Sequence, residues 1–129
     1  MSNLLLDITE YLVGKGIVQA DGVDIFRDFS PNEPDDVVVL YEYLAPPTVT
    51  GSSALQRQVQ FVARSKNPDS ARTRAHQMFG AVDIPMDRII ELTATRWAII
   101  TANSPIKIGV DESNRVLWAF NATLVTTRD

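Results

Sequence analysis

Apolar residues recur along the chain at two spacings, and the changes between them divide it into elements. Near the start, Leu5, Ile8 and Leu12 follow helical spacing while Asp7 and Glu10 lie on other faces. This predicts a helix over residues 3–13, capped by Ser2 and ended by Gly14 and Gly16. Residues 17–21 and 23–29 read as short connecting or strand pieces around the Asp21-Gly22 turn. Ser30-Pro31-Asn32-Glu33-Pro34 is a loop, because two prolines remove backbone donors and fix φ. Residues 37–44 are apolar at both parities apart from Glu42, the pattern of a strand covered on both faces. Residues 45–53 (APPTVTGSS) have no period and predict an extended loop.

A second strand is predicted over residues 55–64. Leu55, Val59, Phe61 and Ala63 share one parity with Arg57, and Gln56, Gln58 and Gln60 occupy the other, so one face packs while the other is wet or meets another subunit. Asn67 and Pro68 open a second helix that runs to Phe79 or a little past. Ala71, Ala75, Met78 and Val82 form its inner stripe, and Gly80 stands where a C-terminal cap belongs. Pro85 breaks the chain, and residues 89–94 return to strand character. The last third holds three β-type runs over residues 97–101, 106–110 and 115–126, separated by turn chemistry at 103–105 and 111–114, and reads as an antiparallel meander. Asp111 and Glu112 are read as solvated turn acids and Trp118 as core. The order helix, strands, helix, strands predicts an α+β fold, a mainly antiparallel sheet with two helices packed on it, in one domain spanning 1–129.

Composition narrows the chemistry. The 129 residues include no cysteine, which excludes disulfides, thiol catalysis and thiolate metal sites together. No apolar run reaches membrane-span length, and the N-terminal apolar residues lack a preceding basic segment, so neither a signal peptide nor an anchor is expected and the protein is read as cytosolic. Net charge is −4 but unevenly placed: residues 1–47 hold nine acids and two bases, residues 48–129 seven acids and ten bases. A charge-split subunit can stack front to back, as ring subunits do, unless folding mixes the two charges evenly.

Candidate chemistry is sparse. The single histidine, His76, cannot build a metal cluster and has no nucleophile at suggestive spacing, so a surface or boundary position is expected. Neither phosphate-loop nor dinucleotide glycine spacing occurs. Asp35, Asp36 and Glu42 approach a metal-dependent nuclease pattern, but Leu44 stands where that pattern requires lysine, and Glu33, Asp35 and Asp36 then read as solvated loop acids. Arg57, Arg64, Lys66, Arg72 and Arg74 cluster in the middle of the chain without interleaved aromatics, more the pattern of a solvated basic face than of a nucleic-acid groove. No catalytic residue, cofactor or metal is expected.

Three places carry a resemblance. Val23-Asp24-Ile25-Phe26, Pro31-Asn32-Glu33-Pro34-Asp35 and the run at 37–43 form one; residues 64–79 form the second. The third comprises Ser104-Pro105, Ile108-Gly109, Asp111-Glu112, Asn114-Arg115 and Phe120-Asn121. In order and spacing they resemble the tail-terminator and minor-capsid family of long-tailed phages and prophages, also called tail-completion or head–tail joining proteins, over residues 3–126. Val110 departs from the family's basic residue before the Asp-Glu turn, and Ala122-Thr123 from its bulkier strand. The resemblance implies a non-enzymatic virion protein, assembled in the bacterial host cytoplasm, that caps the tail tube as a homo-oligomeric ring, commonly a hexamer. Its implied partners are its own copies, the tail-tube protein and the head–tail connector, with DNA passing through non-specifically and no membrane. Residues 45–53, with Pro46, Pro47, Thr48 and Val49, would reach a neighbour or the tube, and Glu33, Asp35 and Asp36 would pair across subunits with Arg57, Arg72 or Arg74. A head-completion ring, a small nucleic-acid-binding module and an enzyme with fold-assembled carboxylates are the alternatives.

Overall fold

A computed structural model describes residues 3–44, 54–83 and 89–127. The loop at 45–53, with Pro46, Pro47, Thr48 and Val49, and Pro85 lie outside the described residues. The elements are α1 (Leu4–Gly14), β1 (Ile25–Arg27), β2 (Val37–Leu44), β3 (Ala54–Ser65), α2 (Pro68–Val82), β4 (Ile90–Thr93), β5 (Arg96–Ala102), β6 (Ile106–Val110) and β7 (Val116–Thr127). This is the α+β class the sequence predicts, with a sheet that is antiparallel except where β1 pairs with β2.

The helix limits differ slightly from expectation. Asn3 caps α1, its Oδ1 accepting from the Leu6 amide at 2.8 Å. Asn67 caps α2 as predicted, its Oδ1 accepting from the amides of Asp69 and Ser70, with Pro68 at the first turn. Gly80 is not a cap. The helix runs through it to Val82, whose burial continues the stripe of Ala71, Ala75 and Met78.

The sheet order is β1-β2-β3-β7-β5-β4, and β6 also pairs with β7. This corrects the meander. β5 and β6 do not pair with each other; they lie end to end along one side of β7, β5 against residues 122–126 and β6 against residues 116–119. Asn103 to Pro105 therefore act as an irregularity in one long arm instead of a reversal. The Asn103 amide still donates to the Asn121 carbonyl, and the Asn103 side chain accepts from the Asn121 amide, which keeps the arm on β7 through the break. The true reversal is at 111–114, where Asn114 takes a positive φ of 60°.

One face of the sheet carries the core. Val38 and Leu40 of β2, Val59, Phe61 and Ala63 of β3, Phe120, Ala122 and Leu124 of β7 and Ala98 and Ile100 of β5 are all buried there. Phe61 and Phe120 are direct cross-strand partners with rings stacked 4.6 Å apart, and Phe79 of α2 meets Phe120 edge-on. α2 lies across β3, β7 and β5, while α1 touches β1 and β2 on one side and β4 on the other. The sheet curls, and α1 packs between its two ends.

Candidate subunit interface

The acidic loop between β1 and β2 is fixed by two arginines on the sheet face turned away from the helices. Arg64, in β3, is 4% exposed. Its guanidinium donates to the carbonyls of Pro34 at 2.7 Å and Asp35 at 3.3 Å and to the Ser30 hydroxyl at 3.0 Å. Arg115, at the head of β7, donates to the Asn32 carbonyl and pairs with Asp111 at 2.8 Å and Asp35 at 3.6 Å. Burial, and then the nearby Arg115 charge, push the Arg64 guanidinium below its ordinary value. The Asp111 carboxyl is held below the usual carboxylate range by the Arg115 amide first, then by the Arg115 side chain and the Ser113 amide. Asp111 is thus no idle turn acid, and Arg64 is no part of a solvated basic face. The sequence gives no local sign of either, because the loop and its clamps are about thirty and eighty positions apart.

The expected interface residues fall into two groups. Asp35 faces Lys66 at 3.7 Å as well as Arg115, and Asp36 accepts from the Ser65 hydroxyl, so neither is a lone loop acid. Arg57 holds Glu42 of the neighbouring strand with both nitrogens of its fork, which also removes Glu42 from any carboxylate cluster. Glu33 is exposed on the loop, Arg72 is exposed on α2 and Arg74 is half-buried there. Asp36 and Arg74 line one small cavity together with Arg64 and Ser65. Arg72 instead stands over the ring of Trp118, 5.6 Å from its centroid, with His76 tilted against the same ring at 6.0 Å. Trp118 is half-buried, and Lys107 is its cross-strand neighbour on β6. The aromatic missing from the basic run in sequence is supplied in space by β7.

Away from the helices the sheet presents an uncharged surface where β3 and β7 run side by side. Gln58, Gln60, Asn121 and Thr123 are paired across these strands and stay at least partly exposed. Beside them β6 carries Ile106 at 62% and Ile108 at 48% exposure, while Val110, at 52%, pairs with Val116 beyond a register shift and belongs to the other face. Among the described residues no strand pairs with the outer side of β6. Depletion of charge with exposed apolar side chains is the composition of a contact surface. Among the described residues no three His, Asp or Glu side chains gather to hold a metal ion, and no helix is long and apolar enough to cross a membrane. What the arrangement can do is bind another protein surface.

A family model described as bacteriophage tail terminator protein matches residues 11–128. No curated protein matches the chain.

Proposed function

Because the chain belongs to the bacteriophage tail terminator family, we propose that this structural tail protein closes the end of the tail tube as a ring of its own copies. The ring, six subunits in the simplest reading, ends tube polymerisation at the head–tail junction and gives the head connector its docking surface. The observation that carries this reading is the uneven charge of the strands. Residues 17–44, which include β1 and β2, hold seven acids and one base, whereas residues 96–110, which form β5 and β6, hold no acid. A head-to-tail ring needs two different surfaces on one subunit, and opposite charge favours their meeting in the right order. Glu33 on the loop and Arg72 on α2 are the exposed side chains assigned to pair between copies, with Arg74, which shares a cavity with Asp36 of its own chain, contributing less. Asp35, Asp36 and Arg57, which have partners in their own chain, contribute less. Residues 45–53, for their length and composition, are assigned the reach to a neighbour or to the tube. DNA passes through such a ring without sequence-specific contact.

The test is the mass in solution, by light scattering on a sizing column, at two protein and two salt concentrations. A hexamer-sized species that weakens with salt is expected. A strict monomer under all four conditions that also leaves tube polymerisation unchecked would overturn the reading.

A further inference from the structure

Among the described residues several strand sides have no strand against them, the outer sides of β1 and β4 included, and two others are unlike each other. At one end β1 stops opposite Leu40, so the outer side of residues 41–44 of β2 has no strand against it among the described residues. That edge carries Tyr43, 52% exposed, and starts beside Asp28, whose amide donates to the Leu40 carbonyl. On the side of β7 away from β3 is β6, with its exposed Ile106, Ile108 and Val110 and with Lys107 as its charge. Unpaired backbone donors and acceptors in a row of apolar side chains form a template for another strand, and natural proteins seldom leave such an edge uncovered.

We infer that β6 adds edge to edge to residues 41–44 of β2 in a second copy of this chain, so that the sheet runs from one subunit into the next. This rests on the ring reading and specifies its contact. Three features select a second copy as occupant. The two edges are of similar length, five residues and four, each with one irregularity in its inner pairing, at Ile108 and at Tyr43, and β6 exposes Ile106, Ile108 and Val110 where the β2 edge exposes Tyr43. Their own charges differ in sign, with Asp28 beside the β2 edge and Lys107 in β6, and Asp111 and Glu112 follow β6 in the turn. The edges are also offset along the strands: β6 lies beside residues 116–119 of β7, whereas Tyr41 is aligned through Gln60 with Asn121. A sheet that closes on itself requires such a stagger between its joined edges. Pairing of β6 with β6 about a two-fold axis would satisfy neither the charge difference nor the exposed edge of β2, and would end in a dimer.

The chain has no cysteine, so single introduced thiols report contacts without background. Ile108→Cys and Tyr43→Cys are prepared separately, mixed, assembled and treated with a short bismaleimide. A covalent dimer is expected from the mixture and not from Ile108→Cys alone, and the double variant should give a ladder of multiples. An assembled oligomer that yields no product from the mixture, that yields a dimer from Ile108→Cys alone, or in which Ile108→Cys joins the tail-tube protein instead would overturn the inference while leaving the ring standing. A protein that is monomeric throughout would remove the ring and this contact together. As a second measurement, Ile106→Lys with Ile108→Lys places charge on exposed edge positions. Circular dichroism should stay unchanged while the concentration for half-assembly rises about tenfold or more. An unchanged assembly concentration would overturn the inference.

Discussion

Asp7 and Arg96 meet at 2.6 Å with their side chains almost wholly out of solvent. Arg96 also donates to the Thr126 hydroxyl, which in turn donates to the Trp97 carbonyl, so one guanidinium ties α1, β5 and β7 together. Breaking a buried pair leaves an uncompensated charge. Asp7→Ala should therefore lower stability by about 3–5 kcal/mol in urea unfolding, whereas Asp7→Leu combined with Arg96→Met should recover most of that loss. At Asp111 the effect is one of pH. Its folded-state pKa lies below the ordinary value of 3.8, so its contribution is complete above that value and is lost as pH falls through the lower, folded one. The stability difference between the natural chain and Asp111→Asn should be largest near neutral pH and shrink below about pH 4. A difference that stays constant down to pH 2 would show that the carboxylate charge is not what holds the turn.

At the scale of elements, the loop at 30–36 behaves as a strap closed by two buried arginines. Arg64→Met would strip three donations from it and leave carbonyl oxygens without partners, at a cost of about 1–3 kcal/mol. Amide exchange in residues 30–36 should accelerate far more than exchange in β3 and β7. Equal acceleration everywhere would mean that Arg64 supports the whole sheet, not the strap. This network was illegible in the sequence, where the prolines mark a loop but name nothing that holds it. The helices were legible because their signals are local: Asn67-Pro68 sets one start, and Leu5, Ile8 and Leu12 one buried stripe. The strands were legible for the same reason, down to the two-sided burial of Val37 to Leu40. Their pairing was not. Turn residues at 103–105 look the same in a reversal and in a break within one arm, and only the partner strand distinguishes them. Asp7 was likewise placed on a polar face, since its partner lies 89 residues away.

For the whole molecule, the charge division legible in residues 1–47 and 48–129 survives in part as a difference between the segment of β1 and β2 and the segment of β5 and β6. Folding consumes much of it internally: Arg57 goes to Glu42, Arg96 to Asp7, and Arg115 to Asp111 and Asp35. The surface left for partners is therefore more neutral than the composition implies, and the candidate interface is correspondingly strong in backbone edges and modest in ion pairs. The order of the sheet has a consequence for how the protein is made. β7 joins β3 on one side and β5 with β6 on the other, yet translation delivers it after every strand it connects. Until then no strand joins β1 to β3 with β4 and β5, β6 has no partner strand among the described residues, and the nascent chain depends on long-range closure that is intrinsically slow. The edges that copies would use are aligned only when that closure is made. A chain interrupted before residue 116 thus lacks both the central strand and the aligned edges that the proposed ring would need.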